Sequence, residues 1–226
     1  MKSLLISGIN GQVGRQVANF AKEYEFNVVC GIDRKTFYGF DCPIYQNFSE
    51  VKENVDIIID FSSPSLTEEA IDFATERGCS LVTGTTALLV NQRFKLKLLS
   101  QIKPVCHSNN FSQNIIHFLN ASKVLKNGLT NFDVTLIEEH NKHKKDAPSG
   151  TAKHLSEILG IKNIHSVRGG NISGVHKIIF LGEGEEIEIT HRAYEKSIFA
   201  KGALFCAQKL IKKENGLYSL KDLINE

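Results

Sequence analysis

The chain has 226 residues, 42% hydrophobic and 23% charged, with a formal net charge of +2. That is enough for one large globular domain or two small ones, and it lacks the strongly basic stripe a nucleic-acid binder needs. No apolar run reaches the ~18 residues of a membrane helix, and the opening "MKSLLISGING" has too short an apolar stretch for a signal peptide. The five cysteines (Cys30, Cys42, Cys79, Cys106, Cys206) form no C-x-x-C pair, so we expect reduced thiols and a cytoplasmic protein.

In chain order, "KSLLIS" reads as a short strand that runs into Gly8. The spacing of Val13, Val17, Phe20 and Ala21 predicts a helix over 11–24. "FNVVCGID" is a strand ending in an acid, and "VDIIIDF" is apolar on both faces, as in a sheet covered on both sides. A helix is expected over 65–78, with a serine cap, acids in its first turn and Gly78 at its end. "CSLVTGTT" and "PVCHSNNFS" add two more strands with turns. Strands alternating with helices imply right-handed βαβ units and a parallel sheet.

After about Asn110 the pattern changes. A helix is expected over 112–129, an alternating strand over 131–140 and a helix over 151–159. An antiparallel hairpin is expected over 176–192, around Gly182-Glu183-Gly184. Residues 200–213 and 219–224 read as helices. The order is α/β, then α+β, then a helical tail.

Gly8, Gly11 and Gly14 form G-x-x-G-x-x-G between the first strand and first helix, a variant of the dinucleotide fingerprint. Glycines there let the chain turn tightly and bring backbone N–H groups to a pyrophosphate at a helix N-terminus. Asp33, 19 positions past Gly14, could accept hydrogen bonds from an adenosine ribose. Arg34 and Lys35 could grip a 2′-phosphate, so NADH and NADPH both stay open. The alternative is a glycine-rich turn with no ligand; the acid in register weighs against it. "DFSSPS" (60–65) and "GTT" (84–86) fall at the ends of later strands, where open α/β sheets bind ligands.

The stretch "EEHNKHKKDAPSGTAKHL", 138–155, is rich in chemistry. His140 can act as acid or base near neutral pH, and Lys142, Lys144 and Lys145 add positive charge. The hydroxyls of Ser149 and Thr151 and the N–H groups at a helix start make a carboxylate site. A solvated charged loop is the plain alternative. A metal at His140-x-x-His143 is disfavoured by the flanking lysines and the lack of a partner cluster, so no metal is expected. His117 and His154 read as structural or surface groups. His176 and His191, on the hairpin strands, could face a site.

"GINGQVGR", "DFSSP", "GTT", "NNFS", "EEHNKHKKDAPSGTA", "VRGG", "ITHR" and "FAKGA" follow in order. The chain thereby resembles, nearly end to end, the 4-hydroxy-tetrahydrodipicolinate reductase (dihydrodipicolinate reductase) family of bacterial lysine biosynthesis. The resemblance implies a Rossmann-like parallel-sheet nucleotide domain (1–111 and 198–226). It also implies a smaller α+β domain (112–197) for substrate binding and oligomerisation. It implies NADH or NADPH as cofactor, a small cyclic dicarboxylate as substrate, a homotetramer, and no nucleic-acid or membrane partner.

By position, His140 matches the family's proton donor and Lys144 its second catalytic group. Gly150 and Thr151 match the carboxylate grip, with Ser149 beside them. The turn Gly8, Ile9, Asn10, Gly11, Gln12, Val13 and the pair Asp33 and Arg34 match the cofactor site. So do Gly84, Thr85 and Thr86 near the nicotinamide, and Ser108, Asn109, Asn110 and Phe111. The chain departs from the family in three places. Asn141 replaces a second histidine, keeping a hydrogen-bond donor at a substrate-binding position but not the charge. "NFSQNII" replaces N-F-S-x-G-V-N, and "GTTA" replaces "GTTG". Two rivals follow: another small-dicarboxylate oxidoreductase on this fold, or a dinucleotide sensor that has lost catalysis. His140 and Lys144 have no use in a sensor. Nucleic-acid binding through "KHKK" lacks interleaved aromatic residues.

Overall fold

The computed structural model describes residues 1–35 and 39–224, which divide into two compact units. Unit 1 comprises Met1–Phe111 with Ser197–Glu226; unit 2 is Ser112–Lys196.

Unit 1 is α/β. Its strands are β1 (Lys2–Ser7), β2 (Phe26–Ile32), β3 (Ile44–Tyr45), β4 (Ile57–Asp60), β5 (Ser80–Thr83), β6 (Pro104–His107) and β11 (Gly216–Tyr218). They form one sheet in the order β11-β6-β5-β4-β1-β2-β3, with every pairing parallel. The chain runs outward from β1 through β2 and β3, then returns to the other side of β1 at β4. That reversal is a topological switch point, where such sheets open a crevice at their C-terminal edge. The helices are α1 (Gln12–Phe20), α2 (Pro64–Arg77), α3 (Val90–Leu99), α6 (Ser197–Leu210) and α7 (Leu220–Ile224). Ile57, Ile58 and Ile59 are wholly buried, so β4 has no solvent face.

Two helix bounds differ from the sequence expectation. The first helix gives way to a 3₁₀ turn, Ala21–Tyr24, ended by Glu25 in the left-handed region at φ 64°. The second begins at Pro64 behind Ser63, not behind Ser65, and has no acid in its first turn. Proline's fixed φ suits the first helical position, which moves the start forward.

Unit 2 is α+β. Its sheet has the order β10-β9-β7-β8, from β7 (Asp133–His140), β8 (Asn163–Arg168), β9 (Gly174–Leu181) and β10 (Glu186–Ala193). β7 and β8 are parallel, joined through α5 (Gly150–Leu159); β7–β9 and β9–β10 are antiparallel. With α4 (Gln113–Gly128), α5 covers one sheet face in a core that includes Phe118, Leu119, Leu136, Leu155, Ile178 and Phe180. Along β10, Glu186, Glu188, Thr190 and Arg192 alternate outward to solvent. Among the described residues no helix is long and apolar enough to cross a membrane.

Candidate active site

In unit 1 the ligand edge begins with the glycine turn. Gly8 has φ 76°, and a Cβ there would meet the Phe61 carbonyl oxygen at 2.6 Å; one on Gly14 would meet the Gly8 carbonyl oxygen at 2.2 Å. Only glycines let α1 come this close to the end of β1. Gly11 stands at the N-cap of α1 and makes no side-chain cap hydrogen bond. Asp33 stands at the end of β2. Its Oδ2 accepts the Asn10 N–H at 3.1 Å and its Oδ1 the Lys35 N–H at 3.2 Å. Each oxygen keeps a second lone pair for a ribose hydroxyl. Arg34 reaches Ser65 Oγ at 2.7 Å. The close-packed glycines, the uncapped helix start and the acid beside them suit a dinucleotide.

The other loops of that edge hang on two residues the sequence reading did not single out. Asp60 is wholly buried at the end of β4. It accepts the hydroxyls of Thr67 (2.7 Å), Thr83 (2.7 Å) and Thr85 (2.9 Å), and that of Ser62. One carboxylate thus locks the loops after β4 and β5. Phe61 does the same by packing: a Cβ on Gly84 would lie 2.2 Å from its ring, which also meets Phe111 edge-on at 5.6 Å. Thr85 is therefore buried in the lock, while Thr86 is exposed. Ala87, the last residue of "GTTA", sits at φ 59°. Ser108 and Asn110 close their own turn by a 2.9 Å hydrogen bond, leaving Asn109 exposed.

In unit 2 the strand register builds the site. Ile164, Leu136, Ile178 and Ile189 are cross-strand neighbours, and the next row on the same face is Ser166, Glu138, His176 and His191. His140 and Arg168 pair one step further on. The apolar floor thus ends in a shelf of polar side chains.

Glu138 is the centre of that shelf. It is wholly buried and ion-paired to Arg168 (Nη2–Oε1 2.6 Å, Nη1–Oε2 3.0 Å). Its Oε1 also accepts the Ser149 N–H at 3.1 Å, and its Oε2 contacts His140 Nδ1. Burial alone would raise the Glu138 carboxyl, but hydrogen bonds from Arg168, Ser166 and His140 outweigh it and hold it at about 2. An ionised carboxylate only accepts, so His140 carries its hydrogen on Nδ1 and exchanges protons at Nε2. The ring rests on Gly174, where a Cβ would lie 3.1 Å from Nε2. Burial lowers the His140 pKa, Glu138 opposes that, and Lys144 and Arg168 reinforce it.

The turn that follows is tied to the same centre. Ser149, buried, caps α5 by accepting the Ala152 N–H at 3.2 Å and meets His176 Nε2 at 3.3 Å. Burial, then the charges of His140 and His191, push His176 down to about 3, so it is neutral in the working range. Asn141 Oδ1 accepts the His143 N–H at 3.0 Å, a side-chain turn that shapes the loop carrying Lys144. Lys144 pairs with Asp146 at 2.7 Å. His140, Asn141, Lys144, Ser149, Gly150 and Thr151 are thus carried by one strand end, one loop and one helix start. The sequence reading left Glu138, Arg168, Gly174 and His176 without roles. An acid two positions before His140 was the available signal for the first.

A switch-point sheet with a glycine turn, joined in one chain to a carboxylate-held histidine beside a lysine and a helix start, defines an NAD(P)H-dependent oxidoreductase acting on a small acid. Comparison with known proteins narrows this. The family description "Dihydrodipicolinate reductase, N-terminus" matches residues 2–111, and "Dihydrodipicolinate reductase, C-terminus" matches 114–224. The chain is 36% identical to the 4-hydroxy-tetrahydrodipicolinate reductase of Caldanaerobacter subterraneus subsp. tengcongensis, covering 100% of this chain and 99% of that one. It is 34% identical to that of Clostridium novyi, covering 99% and 98%. In fold it is similar to a dipicolinate-bound dihydrodipicolinate reductase from Paenisporosarcina sp. TG-14 (TM-score 0.81, 21% identity, 97% of each chain). The chain belongs to the dihydrodipicolinate reductase family, the NAD(P)H-dependent reductases of the diaminopimelate and lysine pathway.

Proposed function

We propose that the chain reduces 4-hydroxy-tetrahydrodipicolinate to tetrahydrodipicolinate, with loss of water, and that its two units divide the task. The observation that carries this reading is Glu138, which binds both the proton-bearing histidine and the N–H that opens the carboxylate-binding turn. In unit 1 the turn Gly8–Val13 takes the pyrophosphate, and Asp33 with Arg34 takes the adenosine ribose. Gly84–Thr86 adjoin the nicotinamide, and Ser108–Phe111 make a further contact with the cofactor. Bound NADH or NADPH supplies the hydride.

Unit 2 holds the cyclic dicarboxylate and supplies the proton. Lys144 and the N–H groups of Gly150 and Thr151 attract the carboxylates, and Ser149 holds the turn in shape. Asn141 keeps its amide N–H₂ as one more donor. His140 gives its Nε2 proton to the ring, and Lys144 stabilises the charge that develops. A buried histidine is reluctant to charge, but a bound dianion favours the imidazolium, so the proton arrives with the substrate. The exposed outer face of β10 is the surface through which we expect a homotetramer, and the thiol-rich, disulfide-free chain suits the cytoplasm.

The test is a spectrophotometric assay in which the upstream synthase forms the substrate from pyruvate and aspartate semialdehyde. Synthase-dependent oxidation of NADH or NADPH should collapse in both His140→Ala and Lys144→Ala. Normal dinucleotide binding with no synthase-dependent oxidation in the wild type would refute the reading.

A further inference from the structure

Lys144 and the Gly150 N–H are two of the donors assigned above to the substrate, and both already hold a carboxylate of the chain itself. Asp146 Oδ1 lies 2.7 Å from Lys144 Nζ, and Asp146 Oδ2 accepts the Gly150 N–H at 3.3 Å. One side chain thus bridges an ammonium and a helix start, the two kinds of donor a small dicarboxylate would seek.

The backbone beneath Asp146 is fixed. Arg168 Nη2 donates to its carbonyl oxygen at 2.6 Å, and the Lys144 N–H donates to the Asn141 carbonyl oxygen at 3.1 Å. The carboxylate itself is about half exposed, at 49%. Glu138 shows the contrast: no exposure, and bonds to Arg168, His140 and the Ser149 N–H. Glu138 belongs to the frame. Asp146 can leave its partners by rotating its own side chain into water.

We propose that Asp146 is a placeholder carboxylate, which occupies the Lys144–Gly150 subsite in the free protein, yields it to a substrate carboxylate and returns as product leaves. This rests on the reading of Lys144 and the 149–151 turn as the substrate grip. Its cost to affinity is modest, because a half-exposed ion pair shifts an equilibrium by only about two- to fivefold. The benefit is exchange: the lysine never stands without a counter-charge, and the product, also a dicarboxylate, meets a competitor for its site.

The test is calorimetric titration of the full chain, saturated with NADH, with pyridine-2,6-dicarboxylate as probe. The variants are Asp146→Asn, Asp146→Ser, Lys144→Met and the double variant Lys144→Met/Asp146→Asn. Asparagine keeps an oxygen for the Gly150 N–H and removes the charge. Asp146→Asn and Asp146→Ser should each bind the probe about two- to fivefold more tightly, with a matching fall in KM. The gain from Asp146→Asn should vanish when Lys144 is methionine. Unchanged or weaker binding in both Asp146 variants would overturn the proposal, leaving Asp146 to orient Lys144 and cap α5. Wild-type affinity in Lys144→Met would instead overturn the assignment of the grip, whatever the Asp146 variants do.

Discussion

Glu138→Gln tests the reasoning at its centre. The substitution keeps size and removes charge. It leaves the Arg168 guanidinium, 19% exposed, without its paired carboxylate, and turns a fixed acceptor for His140 Nδ1 into an amide. The Glu138 carboxyl is held at about 2 against an ordinary 4.5, a difference worth roughly 3 kcal/mol of folding stability. That agrees with the few kcal/mol, about 3–5, lost when one member of a buried ion pair is removed. Because the folded value is depressed, this stability is fully present above about pH 4.5 and fades as pH falls toward 2. Urea denaturation should therefore show a deficit of about 3 kcal/mol at pH 7 that shrinks in acid.

Activity has its own signature. Glu138 opposes the burial that lowers the His140 pKa, so its loss drops that pKa further. The alkaline fall of kcat/KM should move to lower pH, with kcat at neutral pH reduced on the order of a hundredfold. Adding Arg168→Met should recover part of the stability, since both partners are then gone, but none of the activity. A Glu138→Gln protein with wild-type stability and an unmoved pH profile would refute the assignment.

Two further outcomes follow from local geometry. Gly174→Ala puts a methyl group 3.1 Å from His140 Nε2. It should lower kcat roughly tenfold by displacing the ring, with dinucleotide affinity unchanged in a fluorescence titration. Ala87→Gly relieves a left-handed residue at φ 59° and should raise stability by roughly 0.5–1 kcal/mol in urea denaturation, despite glycine's looser unfolded state.

Much of this protein was legible because the signals were local. An all-apolar strand such as Ile57–Asp60 can only be buried on both faces, and a glycine turn followed by an acid needs no distant partner to be recognised. The Pro-Ser-Gly-Thr helix start is of the same kind, with cap and first turn contiguous. Elements whose cause is not local were invisible. β8, "NIHSVR", is mostly exposed and owes its form to pairing with β7. α3 exposes Val90, Phe94 and Leu98, so its apolar spacing points to no buried face. β3 and β11, of two and three residues, are too short to carry a period.

The same division runs through the active site. The sequence by itself determined which chemical groups were available: a histidine, a lysine, a hydroxyl-rich helix start, a nucleotide turn. Tertiary structure alone decided how they are wired. Arg168 lies 30 residues from Glu138, and His176 27 from Ser149. They meet because the register of β7 with β8 and β9 sets His176 beside Glu138 and Arg168 one step further on the same face, where the start of α5 brings Ser149. Register follows from the whole apolar pattern of four strands, and so does the choice of which nitrogen of His140 carries the proton.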